Sequence, residues 1–367
     1  MNAHPALAGL PLVLGGNVFG WTADLDTSFA VLDAFYEAGG RMIDTADVYS
    51  AWVPGHKGGE SETVLGQWLE SRGVRAEMRI HTKTGMLGAA ELYAPERIAQ
   101  SLDRSLERLR TDYLDLYYAH RDYAELAIDE IAAAFAATVA SGTVRAIGAS
   151  NFDAARLGAA LEAAKVGGFA PFTVLQNEYN LVSRAAYPAE LQALCTAHGI
   201  AMLPFFGLAS GYLTGKYRSA EDLGQSVRGT RMKELVTSGA PMLAAMDAIA
   251  AETGASHAAI ALAWLRHQPG ILAPIASATR VEQLAQLIES ASLNLRADQL
   301  AALSAATQEV RQGGRHGITG HFDGFVTGEG LAQDALGEVL LAALHQLGAE
   351  AGGDPVGRDR LVLGLAR

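Results

Sequence analysis

The chain reads as an α/β protein folded as a (β/α)8 barrel, a TIM barrel, with a long loop after the seventh strand and a C-terminal extension. Three observations predict this. Eight short β-type runs alternate with longer helix-period segments. The glycine fingerprint of an open dinucleotide-binding sheet is missing, because "LGGNVFGW" does not read as G-x-G-x-x-G leading into a helix. Eight βα units in about 290 residues suit a closed barrel.

The runs follow one another in order. They are "LVLGG" at 12–16, "RMIDTA" at 41–46, "MRIHTKT" at 78–84 and "YLDLYYAH" at 113–120. "VRAIGAS" at 144–150, "FTVLQNEY" at 172–179, "IAMLPFFG" at 200–207 and "ILAPIAS" at 271–277 complete the set. Between them, apolar residues recur at helical spacing. Val64, Leu65, Trp68 and Leu69 form one stripe; Ile98, Leu102, Leu106 and Leu109 form another; Ile128, Ile131, Phe135 and Val139 form a third. Such stripes are core faces, each laid against the sheet.

Two regions depart from the repeat. Residues 208–240 make a long polar insertion after the seventh run, and long loops in compact domains usually carry function. The barrel is expected over residues 1–312. Residues 313–367 form an extension that opens glycine-rich and continues with one helix, on which Leu336, Leu340, Leu344 and Leu347 share a side.

Composition narrows the function classes. The chain has 367 residues, of which 50% are hydrophobic and 19% charged, enough apolar content for a sizeable core. A net charge of −12 argues against nucleic acid as partner. No apolar run reaches membrane-spanning length, and the N-terminus does not resemble a secretory signal. With Cys195 as the lone cysteine no internal disulfide forms, which fits a cytoplasmic setting. "GKY" at 215–217 lacks the Ser or Thr of a phosphate loop, and neither H-x-H nor H-E-x-x-H occurs, so no metal site is expected.

In a barrel of this type, reacting groups sit where strands end. Those positions hold Asp44, with Tyr49 in the loop after it, then Lys83, His120, Ser150 with Asn151, Gln176 and Phe205. A buried acid needs a partner, and Lys83 supplies one for Asp44. A lysine cation beside a tyrosine favours the phenolate and lowers its pKa. His120 adds a hydrogen bond to a substrate oxygen. Such a cluster delivers a proton to a carbonyl oxygen as charge builds there, but it needs a separate hydride donor. His81, beside Lys83, is expected to face away from this cluster by strand alternation or to sit sideways in the barrel wall, and is assigned no role.

The stretches "GGRMIDTADVYS", "GGESETVLGQWL", "TKTG", "TDYLDLYYAHRDY", "VRAIGASNF", "LQNEYNLVSR" and "PFFGLASGYLTGKYR" resemble the aldo-keto reductase family, in order, over roughly residues 10–308. The resemblance implies an NAD(P)-dependent oxidoreductase interconverting carbonyls and alcohols, with a catalytic tetrad on Asp44, Tyr49, Lys83 and His120. It places the nicotinamide carboxamide on Ser150, Asn151 and Gln176, with Phe205 stacking where a tyrosine is usual and Phe206 beside it. Gly207, Leu208, Ser210, Gly211 and Lys216 fall in the loop over the pyrophosphate. At the adenosine end, Ser277, Arg280, Gln283 and Gln286 match cofactor positions. There Gln283 stands where arginine is common, and Gln286 with Leu287 replaces a usual Glu-Asn pair. Arg280 is the remaining cation for a 2′-phosphate, so NADP(H) is favoured and NAD(H) is the alternative.

Trp21, Tyr49, Trp52 and His120 are expected to line the substrate pocket, with "SAWVPGHKGG" at 50–59 beside them. The partner is then a small-molecule carbonyl or alcohol. The competing reading is a cofactor-binding regulatory subunit of the same fold.

Overall fold

A computed structural model of the chain describes residues 4–88, 93–225 and 229–313. The expected C-terminal extension lies outside the described residues, apart from Gly313 at its start.

Eight parallel strands alternate with helices. They are β1 (Val13–Gly15), β2 (Met42–Asp44), β3 (Arg79–Thr84), β4 (Leu116–Ala119), β5 (Ile147–Ser150), β6 (Phe172–Gln176), β7 (Ala201–Met202) and β8 (Ile275–Ala276). Each of the eight sequence runs holds one of them. The hydrogen-bonded order is β7-β6-β5-β4-β3-β2-β1-β8. Met202 N donates to Gly270 O at 2.9 Å, Leu272 N to Met202 O at 3.1 Å and Ile275 N to Pro204 O at 2.9 Å, which brings the two ends of that order together. The result is the expected (β/α)8 barrel.

The helices are α1 (Leu25–Glu37), α2 (Glu60–Arg72), α3 (Pro95–Leu109), α4 (Ile128–Ala140), α5 (Ala154–Gly167) and α6 (Ala189–His198). They continue with α7 (Lys233–Ser238), α8 (Ala240–Thr253), α9 (His257–Arg266), α10 (Val281–Glu289) and α11 (Ala297–Gly313). Local chemistry sets their ends. Asp24 accepts from Thr27 N at 2.9 Å and Asp153 from Arg156 N at 2.8 Å, each satisfying an orphan donor of the first turn. Gly73 closes α2 in the left-handed region, φ 65°, which costs glycine little.

The expected stripes face inward. Val64, Leu65, Trp68 and Leu69 are all buried, as are Ile98, Leu102 and Leu109 on α3, with Leu106 packed at its margin. On α4, Ile131 and Phe135 are buried, and Ile128 and Val139 pack at the edge.

Strand alternation divides the core in two. One set of positions lies under the helices. The other points into the barrel, where Val13, Met42, Leu116, Tyr118, Ala146, Val174, Leu203, Ala273 and Ile275 pack with Ala6 of the N-terminal segment. The polar strand-end residues share the parity of this inner set, one layer nearer the C-terminal mouth.

The insertion after β7 is more ordered than a plain loop. It contains 3-10 turns at Ala209–Thr214, Ala220–Gln225 and Gly229–Met232, followed by α7. Tyr212, Leu213, Tyr217, Met232 and Leu235 are buried there, so apolar anchors spaced among polar residues fold the segment against the barrel.

Candidate active site

The register of the parallel strands builds the site. Asp44 closes β2 opposite His81, which places Lys83 two residues further along β3 on the same inward side. Lys83 in turn pairs with Tyr118, two residues before His120. Gly15 and Gly16 let β1 come close: a Cβ on Gly15 would fall 2.5 Å from Ser277 Oγ, and one on Gly16 would fall 2.9 Å from Ser61 Oγ.

Lys83 is 0% exposed and Asp44 2%. The Lys83 ammonium donates to Asp44 Oδ2 at 2.5 Å, to the Thr45 carbonyl at 2.8 Å and to the Tyr49 hydroxyl at 3.2 Å. Its three protons therefore have three acceptors. Asp44 Oδ1 accepts from Gln176 Nε2 at 2.9 Å. A buried ion pair this well hydrogen-bonded satisfies both charges; removing either partner strands the other.

The electrostatics follow from burial and charge. Desolvation works against the Lys83 cation, but Asp44 and then Tyr49 outweigh it and hold its pKa above the usual lysine value. For Tyr49, burial of the phenol is the largest influence and raises its pKa; the Lys83 charge pulls the other way without prevailing. The expected lowering of the Tyr49 pKa is thus corrected: Lys83 limits a rise. His120, buried and near Lys83, sits well below the ordinary histidine range, so its imidazole is neutral at pH 7.

Aromatic rings extend the site outward. The Tyr49 and His120 rings lie 6.0 Å apart, Tyr49 and Trp52 5.7 Å, and Trp52 and Trp21 5.5 Å, all edge to face. The four expected pocket residues therefore form one connected wall.

The expected cofactor residues fall into groups. Ser150 is buried at the end of β5, and Asn151 after it donates to Ser150 Oγ at 3.1 Å and to the His120 carbonyl at 3.0 Å. Gln176 uses its amide nitrogen on Asp44. The Phe205 and Phe206 rings meet at 5.1 Å. Gly207 packs so tightly that an added Cβ would lie 3.0 Å from both Leu262 and Leu265. Phe206, Ala209, Ser210 and Gly211 all have positive φ, beside Leu208, and Lys216 follows, exposed. Ser277 donates to Asn17 Oδ1 at 2.7 Å. Arg280 is the exposed N-cap of α10, and Gln286 is exposed on that helix. Gln283 Oε1 accepts from Thr279 N at 2.9 Å and Thr279 Oγ1 at 3.0 Å, so this neutral side chain is engaged with the residue before the N-cap.

His81 does not face away. Residues two apart on a strand share a face, so it points into the barrel below Lys83, with Nε2 2.8 Å from the Ala6 carbonyl and its ring 6.4 Å from that of Tyr118. Sequence reasoning also missed Thr45, Asn17 and Asp47. The Thr45 contact is made by a backbone carbonyl and leaves no trace in residue type. The second acid of "DTAD" was a visible signal for Asp47. Among the described residues, no group of His, Cys, Asp and Glu is placed to hold a metal ion, and no helix is long and apolar enough to cross a membrane.

Comparison with known proteins adds to this geometry. A sequence model of the aldo/keto reductase family matches residues 11–308. Norsolorinic acid reductase stcV of Emericella nidulans is 35% identical over 312 residues, covering 79% of this chain and 76% of the relative. An uncharacterized oxidoreductase of Bacillus subtilis, YrpG, is 30% identical over 302 residues, covering 77% and 88%. An aryl-alcohol dehydrogenase [NADP(+)] of Phanerodontia chrysosporium is 28% identical over 302 residues, covering 77% and 76%. With its barrel and this match over most of its length, the chain belongs to the aldo/keto reductase family of NAD(P)-dependent oxidoreductases.

Proposed function

We propose that the chain is an NAD(P)H-dependent carbonyl reductase, acting on an aldehyde, ketone or sugar, with Tyr49 as general acid in reduction and general base in alcohol oxidation. The observation that carries this reading is the Lys83 ammonium held between Asp44 Oδ2, 2.5 Å away, and the Tyr49 hydroxyl, 3.2 Å away. When bound, a reduced nicotinamide supplies the hydride. Tyr49 gives its phenolic proton to the carbonyl oxygen. Lys83, oriented by Asp44 and the Thr45 carbonyl, stabilises the phenolate left behind. Neutral His120 offers a hydrogen bond to the same oxygen without competing as a charge.

The residues present fit a nicotinamide dinucleotide. Ser150 and Asn151 supply a hydroxyl and an amide at the mouth, and Phe205 supplies a ring. The positive-φ residues Phe206, Ala209, Ser210 and Gly211, followed by Lys216, support a phosphate-covering loop. Gln176, buried at the end of β6 beside Asp44, supplies a third amide-bearing side chain for the carboxamide. Arg280 supports NADP(H) over NAD(H), since a guanidinium matches phosphate geometry. The Trp21–Trp52–Tyr49 wall supports a carbonyl with an aromatic body, in line with the name of the aryl-alcohol relative.

The test is Tyr49→Phe, assayed by consumption of reduced cofactor with aryl aldehydes. Turnover is expected to vanish while fluorescence titration with NADPH still reports binding. Full turnover by that variant refutes the assignment.

A further inference from the structure

Tyr49 sits in a tight turn, with its N–H donating to the Ala46 carbonyl at 3.1 Å. Asp47, inside that turn, is 3% exposed and joins it to β3 at two points. Its backbone N–H donates to the Lys83 carbonyl at 3.1 Å, and its Oδ2 accepts from Thr84 Oγ1 at 2.7 Å. The loop that follows presses on the same residue, since a Cβ on Gly58 would fall 2.7 Å from the Asp47 carbonyl. The turn bearing the phenol is therefore fastened directly to the two strand residues, Lys83 and Thr84, that bear and follow the ammonium.

We propose that Asp47 is a positioning residue for the reaction, clamping the Tyr49 turn to β3 and so setting the separation between the phenol and the Lys83 ammonium. The inference rests on Tyr49 acting as general acid.

A neutral residue could make the same clamp, so the carboxyl carries a second consequence. Its other oxygen, Oδ1, is buried with no hydrogen-bond partner among the described residues. Burial pushes the Asp47 acid up to about 7, against the Thr84 hydrogen bond; Glu62 of α2 adds to the rise, and Arg108 of α3 and the nearby Val48 N–H oppose it. The other titratable groups it acts on are Tyr117 of β4, Tyr93 ahead of α3, and Tyr49 itself. When ionised, Asp47 disfavours the Tyr49 phenolate. Removing its charge must therefore lower the pH at which Tyr49 loses its proton.

The experiment compares kcat, KM and the pH profile of carbonyl reduction in the wild type, Asp47→Ala, Asp47→Asn and Tyr49→Phe, with NADPH affinity measured on each. Asp47→Ala is expected to lower kcat about 100-fold, as a misplaced acid does, with NADPH affinity unchanged. Asp47→Asn keeps an oxygen for Thr84, so it restores most of kcat, but it moves the alkaline limb of the profile to lower pH. A purely structural residue would change stability and leave that limb in place. An unmoved limb in Asp47→Asn, or an unmoved kcat in Asp47→Ala, overturns the proposal. If Asp47→Ala does not fold, the limb in Asp47→Asn decides alone. Retained turnover in Tyr49→Phe instead removes the underlying assignment; its loss beside wild-type behaviour of both Asp47 variants removes only the clamp.

Discussion

Gln176 of β6 donates from Nε2 to Asp44 Oδ1 of β2 at 2.9 Å, linking positions 132 residues apart across the barrel. With Lys83 on Oδ2, both oxygens of a buried carboxylate are engaged from opposite walls. The anchor of the proposed catalytic lysine is thus itself anchored. Gln176→Leu removes one side and leaves Oδ1 bare. The expected loss is about 1–3 kcal/mol of stability in urea unfolding, together with a fall in kcat larger than any change in substrate KM. Unchanged unfolding would show that Asp44 does not depend on the amide.

Lys83→Met strands the Asp44 charge. Removing one partner of a buried pair costs roughly 3–5 kcal/mol, and reductase activity should disappear with it. The double variant Asp44→Leu with Lys83→Met should recover much of the stability, because an apolar pair replaces an ionic one, and none of the activity. Thermal melts and initial rates on the three proteins separate fold from chemistry.

Asp47 makes stability depend on pH in a defined direction. Its folded acid lies at about 7, above the ordinary value of 3.8. The folded state therefore holds a proton that the unfolded state has released, and stability is lost as pH rises between those values. Each pH unit in that window is worth about 1.4 kcal/mol, so the ceiling on the loss is roughly 4 kcal/mol. Asp47→Asn abolishes this dependence, so its melting temperature should exceed that of the wild type by more at pH 8 than at pH 5. An equal difference at both pH values would locate the proton elsewhere.

Arg280 stands exposed at the head of α10, where Gln283 is already engaged with Thr279. If its guanidinium meets a 2′-phosphate, Arg280→Ala should raise the KM for NADPH about 10-fold, the loss of one charge-assisted hydrogen bond, and leave that for NADH alone. Parallel rises for both cofactors would point to damage at the helix cap.

Gly66 marks a close approach between α2 and the end of α3. A Cβ there would run into the Arg108 carbonyl, a backbone atom with no freedom to move aside. Gly66→Ala should destabilise the protein by about 1–3 kcal/mol through overpacking, despite the better helix propensity of alanine. Chemical denaturation measures it.

Much of the barrel is legible in the chain because two periods are written into it. The two-residue period of "RMIDTA" and "MRIHTKT" aims Asp44 and Lys83 inward, and the helical stripes on α2 and α3 cover the outside. The same period turns His81 inward as well, since it lies two residues before Lys83, and the expectation that it faces away ignored that count. Other features have no residue signature. The Thr45 carbonyl on Lys83 depends on backbone geometry, and the Gln176–Asp44 bond depends on which strands oppose each other across a closed ring. The rise in the Tyr49 pKa depends on how far water is excluded, a three-dimensional quantity that neighbouring residue types do not report.

The His81–Ala6 bond has a consequence for the whole chain. The imidazole beneath the ammonium is held by a carbonyl near the start of the polypeptide, and both residues are fully shielded from solvent. The underside of the chemistry is sealed by His81 and the segment around Ala6. Dryness around the proton donor is therefore secured from beneath, and deleting the segment around Ala6 would let solvent in at the basement of a site whose walls remained intact.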